Sequence, residues 1–509
     1  MIAKVHSFAL SGLDGVPVEV EADINNGMPG YDLVGLPDAA VKESKERVRS
    51  AIKNSGFTFP THHITVNLAP AELRKEGAAF DLAVAVCLLK ATDQLVTDRT
   101  DGYVFLGELG LNGDLRPVTG ILPMLIAARD KKFDKFIVPT ANQKEAQYIE
   151  GIDVYCADKL KDVTAHFSGG TPLPKTAVKR FVKGEKRLHG NGDLAFVKGQ
   201  AMAKRALEIA VSGGHNLLFV GPPGTGKTML ARSIPSIMPD LDFEEALEIT
   251  KIHSVAGVLG EEGIVTERPF RTPHHTSTTV SMCGGGSSNV HPGEISLAHG
   301  GGLFLDELPE YNRSSLEALR QPLEDGVITV ARSTGTVTYP AGFMLCAGMN
   351  PCPCGNYGSS EKTCTCSPSQ IRRYRAKISG PLLDRIDLQV EVDNVRYDEL
   401  ISEREEESSE RVRERVNAAR KIQKERFAGT GIRTNSGMRE SELRKFCPLS
   451  AECEDVLRSA FERLHLSARA RSRLIKVART IADLDYSEDI APRHVYEALS
   501  YRMYDRADV

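Results

Sequence analysis

The chain has 509 residues, with 64 lysines and arginines against 68 aspartates and glutamates and a formal net charge of −4. That length accommodates about three domains, and the near-balanced charge excludes a globally basic nucleic-acid binder, so any polynucleotide contact must come from a local patch or an assembled pore. The N-terminus, beginning Met1-Ile-Ala-Lys, has no apolar signal core, and no apolar run reaches the ~18 residues a membrane span needs, so a cytoplasmic location without membrane contact is expected.

From residue 1 to 167 strand-like and helix-like pieces alternate. Ser7–Leu10 and Val16–Ala22 predict a hairpin closed by Gly12–Gly15, and Ala39–Lys53 has helical period. His63–Leu68 reads as another strand, Leu73–Ala85 as a turn entering an apolar helix, Leu122–Lys131 as a helix and Phe136–Pro139 as a strand, an α+β unit in all. This segment resembles the proteolytic domain of Lon-type proteases, with KEGAAFD at 75–81 in place of that family's KDGPSAG. A serine nucleophile and a lysine base are what that chemistry requires. Ala79 stands in the serine's place and Leu122 in the lysine's, so the fold is expected without peptidase activity, as a docking or assembly module.

Residues 168–190 combine turn residues with the basic stretch Lys175–Lys186, which fits an exposed interdomain linker or a basic strap for nucleic acid. An ATPase core over 191–395 is expected next. Asp193–Gln200 and a helix over Ala201–Gly213 should lie beside the bound base. The apolar run Asn216–Val220 then precedes GPPGTGKT, residues 221–228, and a helix begins at Met229.

Strand, glycine-rich loop and helix in that order make a phosphate cradle. Backbone amides of Gly221, Pro222, Pro223, Gly224, Thr225 and Gly226 line it as the motif's loop (the prolines lending shape only), Lys227 reaches the β- and γ-phosphates, the Thr228 hydroxyl ligates Mg²⁺, and Met229 opens the helix. GGLFLDE, ending at Asp306 and Glu307, supplies the partner motif: Asp306 holds Mg²⁺ through water and Glu307 deprotonates the attacking water. Together these predict an ATPase using ATP and Mg²⁺.

Residues 240–300 are longer than one strand–helix unit needs and read as a His- and Gly-rich insertion. His274 and His275 read better as a surface loop than as metal ligands, and in a ring pore Arg268 and Arg271 would meet phosphate backbone. Ser314–Leu323 reads as a helix. Residues 326–340 predict a β-hairpin with its turn near Arg332–Gly335, and Arg332 is either a DNA contact or a solvated turn residue. The strand Phe343–Met349 ends in Asn350, placed to polarise the attacking water. An insertion before the Asp-Glu strand and a hairpin before the Asn strand resemble the magnesium-chelatase branch of the AAA+ ATPases, which also holds replicative helicases.

Cys352, Cys354, Cys364 and Cys366, four of the chain's ten cysteines, fall within fifteen residues. Four thiolates in one loop suit a tetrahedral Zn²⁺, with free cysteines or a redox pair as the alternative. Gln370–Gly380 then sets Arg372, Arg373, Arg375 and Lys377 around Tyr374, a composition suited to DNA phosphate and a stacked base.

Pro381–Asp387 resembles the AAA+ segment whose arginine enters a neighbour's site. Arg385 would then act on the γ-phosphate in trans, or be tied to Asp384 or Asp387 within the chain. Residues 396–509 predict a helical lid that begins with a charged helix over Glu403–Phe427. Leu466–Arg473 resembles the lid segment carrying a γ-phosphate-sensing arginine; Arg469 matches best, with Arg471 and Arg473 as substitutes.

The Lon-like front, GPPGTGKT, RPFRTPHHT, the CPCG and CTC pairs, GPLLDRID and LSARARSRLIKVARTIADL span nearly the whole chain. They resemble the YifB/ComM family of magnesium-chelatase-like AAA+ proteins. The resemblance implies an α/β P-loop core with an α-helical lid behind an inactive Lon-like domain, a homo-oligomer that is hexameric, and a DNA helicase driving branch migration in natural transformation. A metal-chelatase ATPase subunit and an AAA+ chaperone acting on protein are the alternatives.

Overall fold

The computed structural model describes residues 2–95, 98–184, 192–286, 290–332, 335–359, 362–395, 397–401, 406–464 and 467–502. Among them no helix is long and apolar enough to cross a membrane.

The N-terminal sheet has seven strands in the order Gly30–Val34, His63–Ala69, Asp14–Asn25, Ile2–Ser11, Tyr103–Phe105, Lys135–Pro139 and Asp153–Ala157. Ile2–Ser11 and Asp14–Asn25 pair antiparallel from Ile2↔Asp23 to Ser11↔Asp14, about a turn whose Gly12 has φ +64°. Val18, Val20 and Ala22 are buried while Glu19 and Glu21 between them point away, the two-residue alternation of a sheet with one covered face. The helix Asp81–Ala91 is buried on all sides except at Lys90. The helix Ala39–Asn54 packs outside it, capped by the Asp38 carboxylate, which accepts from Val41 N at 2.7 Å. Ala79 and Leu122, the positions the resemblance assigns to a serine–lysine dyad, are both buried apolar side chains.

Residues 168–184 form no helix or strand, but they do not hang free. Thr176 N donates to Val154 O and Lys179 N to Gln147 O, Lys175 pairs with Asp153 at 2.5 Å, and Phe181 packs on Phe243. Most side chains of this segment are exposed, and at Lys175 and Thr176 it is anchored to the edge strand Asp153–Ala157, because an edge strand leaves amides and carbonyls to be satisfied.

The second sheet is parallel throughout, in the order Phe270–Arg271, Gly302–Leu305, Met344–Met349, Leu217–Val220, Leu388–Glu391. Every residue of the three central strands is buried, as expected where helices cover both faces. The 240–300 segment is only partly an insertion. Its helix Phe243–Val255, with an Asp242/Glu245 capping box, and its edge strand complete this unit, and Phe270 stacks on Phe304 with ring centroids 6.5 Å apart. What is extra lies beyond Arg271: the short helix Thr279–Cys283, a two-residue ladder and the helical turn Glu294–Leu297.

The C-terminal helices Ser409–Arg426, Ala451–Leu464, Ala468–Leu484 and Pro492–Ser500 share one apolar core with this sheet, from Leu217 and Phe219 to Leu474 and Ile481. Of the first, only Ser409, Val412, Val416, Ala419 and Gln423 are buried, the thin stripe its sequence suggested; it begins at Ser409, and the expected start at Glu403 lies outside the described residues. The helix Phe243–Val255 also touches the helical segments of the N-terminal unit. Ser254 Oγ donates to Glu145 at 2.7 Å, Gly120 N to Ser254 O at 3.1 Å, and Leu247 packs against the cluster that contains Ile121 and Leu122.

Candidate nucleotide site

Leu217–Val220 sits between strands that follow it in sequence on both sides, and the chain crosses from one side to the other between Met349 and Leu388. The crevice beyond the carboxyl ends of such strands is where α/β sheets bind ligands. Gly221–Gly226 occupies it, and the helix Lys227–Ile237 starts directly behind. Gly224 and Gly226 have φ of +85° and +92°, a left-handed backbone that side chains resist. At Gly221 the constraint is space: a Cβ would lie 2.1 Å from Val392 O.

Lys227 is 8% exposed, and its ammonium donates to Gly221 O at 2.7 Å, Pro222 O at 2.6 Å and Asn350 Oδ1 at 3.3 Å. Burial holds its pKa below the ordinary lysine value. The cation is thus folded back on its own loop, with the acceptors a phosphate would replace. Thr228 Oγ1 donates to Asp306 Oδ2 at 2.7 Å, which brings the expected Mg²⁺ ligands together from opposite ends of a 78-residue separation. One hydroxyl and one carboxylate, both oxygen donors, fit that hard ion.

Glu307 follows with φ +53°, ψ +47°, an unusual conformation for a non-glycine residue and one that leaves its carboxylate 60% exposed, 3.6 Å from His275 Nδ1. Glu307, Asn350 and Arg373 line a neighbouring cleft of about 330 Å³ with Tyr374 and Lys377. His275 was expected only as a loop residue. Its place beside Glu307 depends on the 240–300 segment folding back to the sheet, which no local pattern announces.

A cleft of about 480 Å³ runs from Gly224, Thr225 and Met229 to Phe196, Val197, Lys198 and Gln200, the flank expected to face a base. Its far wall was not anticipated: Asn356, Ser359 and Lys362, from the loop that carries the four cysteines.

The arginines divide. Arg268 donates to Pro239 O, Gly300 O and Glu245, and Arg271 pairs with Glu294 through two bonds of 2.7 and 2.9 Å, so both are engaged within the chain. Arg375 bonds Pro351 O at 3.3 Å and lies over the Tyr357 ring at 5.1 Å, also an internal brace. Arg372 and Arg373 are exposed on the helix Pro368–Arg375. The hairpin pairs from Val327↔Pro340 to Arg332↔Gly335 as expected, while the Arg332 side chain lies outside the described residues.

Arg385 does not face its own P-loop. It donates to Pro381 O at 2.7 Å and pairs with Glu324, not with Asp384 or Asp387. Asp387 instead accepts from Asn216 N at 3.0 Å and sits 3.5 Å from Arg473. Asn216 and Asp387 immediately precede the strands whose far ends meet the P-loop, and four strand residues span about 13 Å. Arg385, Arg469, Arg473 and Lys476 line one large groove at this opposite end. Arg471 is tied to Glu454 at 2.7 Å, which leaves exposed Arg469 as the terminal arginine facing outward.

Comparison with known proteins agrees with this architecture. Models of magnesium chelatase subunit ChlI match residues 193–400 and 20–142, and the model of its C-terminal part matches 406–502. The chain is 45% identical over 511 residues to YifB of Escherichia coli, covering 99% of this chain and 98% of that protein. It is 43% identical over 507 residues to competence protein ComM of Haemophilus influenzae, covering 98% and 97%. A shorter match, 27% identical over 123 residues, 24% of this chain and 22% of the relative, is to Lon protease 2 of Bacillus subtilis.

Proposed function

The chain belongs to the YifB/ComM family of magnesium-chelatase-like AAA+ ATPases, and from that premise we propose that it is a cytoplasmic, ATP-driven DNA motor: a hexameric helicase that promotes branch migration in recombination during natural transformation. The observation that carries the reading is the separation of Arg385 and Arg469 from the P-loop of their own chain. A hydrolytic site with Lys227, Thr228, Asp306, Glu307 and Asn350 on one edge and cations on the other is completed when a second copy brings its arginines to the first copy's γ-phosphate. Repeated around a ring, this makes each hydrolysis step felt next door.

In this reading ATP binds along Gly221–Met229 with Mg²⁺ on Thr228 and Asp306, Glu307 takes the proton of the attacking water, and Asn350 orients it. Arg332 at the hairpin end and the exposed Arg372 and Arg373 are the DNA contacts. The link to competence is carried over from the relative of that name, and branch migration from the family resemblance. The test is ATP hydrolysis by the purified protein with and without forked or four-way DNA. Stimulation by branched DNA is expected; a rate unmoved by DNA but raised by a protein substrate would refute the proposal.

A further inference from the structure

The loop over 352–366 contains no helix or strand among its described residues, yet it forms one wall of the nucleotide cleft. Something must hold it. Cys352 Sγ lies 3.4 Å from Cys354 Sγ and 3.7 Å from Cys364 Sγ, Cys354 and Cys364 are 3.6 Å apart, and all four sulfurs, Cys366 included, fall within 4.8 Å of one another. A tetrahedron with Zn–S bonds of about 2.3 Å has sulfur–sulfur edges of about 3.8 Å. An iron–sulfur cluster divides its thiolates among several irons and so spreads them beyond this spacing. Two backbone amides point at the sulfurs, Tyr357 N at Cys352 Sγ (3.3 Å) and Cys354 N at Cys366 Sγ (3.4 Å), the outer bonds that bound thiolates accept.

The same loop is keyed to the phosphate cradle at three points. Gly355, at φ +81°, lies so near the P-loop that a Cβ would stand 2.5 Å from Pro223 Cδ. Asn356, Ser359 and Lys362 face Gly224 and Thr225 across the cleft. Asn350, two residues before Cys352, takes a hydrogen bond from Lys227.

We propose that Cys352, Cys354, Cys364 and Cys366 hold one zinc ion whose role is to set nucleotide affinity, by fixing the cleft wall formed by Asn356, Ser359 and Lys362. The coupling rests on the reading of this cleft as the nucleotide site. The metal replaces an apolar core the loop lacks: four Zn–S bonds order a polar, glycine-bearing segment that cannot order itself. Nucleotide then meets a formed wall rather than selecting one from an ensemble, and if the bare loop holds its bound position a tenth of the time, affinity falls about tenfold.

The test uses the full chain purified under reducing conditions. Elemental analysis is expected to find one zinc per chain. Extraction with a chelator should weaken binding of a fluorescent ATP analogue about tenfold, and zinc added back should restore it. Cys352→Ser and Cys364→Ser should lose the metal and show the same weakened binding. If these variants do not fold, the extraction and re-addition cycle on the unsubstituted protein reads both quantities. Finding no zinc, or iron in its place, overturns the site. Zinc whose removal leaves analogue affinity unchanged overturns the coupling. Zinc-loaded protein that binds no nucleotide overturns the reading of the cleft, and the coupling with it, while the zinc count stands.

Discussion

Replacing Lys227 by alanine tests the cradle directly, because the structure shows what the ammonium gives up as well as what it gains. Unliganded, it makes two short hydrogen bonds to Gly221 O and Pro222 O and a longer one to Asn350. When phosphate arrives these are exchanged for bonds to anionic oxygens. The released carbonyl bonds are themselves charge-assisted, so what phosphate adds is the attraction of opposite charges, about 1 kcal/mol at ~4 Å in water and about 4 kcal/mol near a protein surface, a net of roughly 1–4 kcal/mol. ATP affinity should therefore fall between about fivefold and a thousandfold in Lys227→Ala. Stability should fall by no more than about 3 kcal/mol, the upper cost of leaving the buried Gly221 carbonyl without its donor. A fluorescent ATP analogue titration beside a thermal melt reads both. Affinity within about twofold of the unsubstituted protein, with the melt unchanged, would refute the placement of Lys227 on the phosphates.

Glu307→Gln should bind ATP normally and hydrolyse it more slowly by a factor of about 10²–10⁴, the usual contribution of a general base, and single-turnover hydrolysis at the original rate would remove Glu307 from that role. Arg385→Ala should lose about 10³ in turnover. Mixed with Glu307→Gln, which is inactive in its own site but carries an intact arginine, it should regain part of the rate; no recovery across a range of mixing ratios would argue against action between copies. Glu248 lies 3.1 Å from His299 Nε2 and 2.6 Å from Arg433, and His299, then Arg433, hold its carboxyl down at about 2, below the ordinary 4.5. A depressed carboxyl contributes stability that is present above pH 4.5 and lost as pH falls toward 2. The melting temperature of Glu248→Gln should accordingly fall less steeply than that of the unsubstituted protein over that window, and parallel profiles would contradict it.

Much of the P-loop side of the site could be read without coordinates, because its information is local. A buried four-residue strand, glycines at two left-handed positions and a lysine opening a helix are properties of contiguous residues, and the hairpin's register followed from its own alternation. The cysteine spacing likewise pointed to one cluster, and the sulfurs do converge. Partners distant in sequence were not legible: Arg268, Arg271 and Arg375, read as candidate phosphate contacts, have Glu245, Glu294 and the Tyr357 ring as neighbours within the chain. Nor was it legible that the strip after Ser168 is anchored at Lys175 and Thr176 to the edge strand Asp153–Ala157.

The sequence by itself carried the pattern of the glycine-rich loop and its lysine, the apolar residues Ala79 and Leu122, and the thiol set. Only the tertiary structure decided that the cysteine loop walls the cleft, that His275 reaches Glu307, and that Arg385 sits at the far end of the strands from the P-loop of its own chain. The physical reason is the parallel sheet. Its strand order sets which ends of distant segments meet, and that order follows from burying each strand against two others, a choice made by the whole core rather than by any one stretch of it.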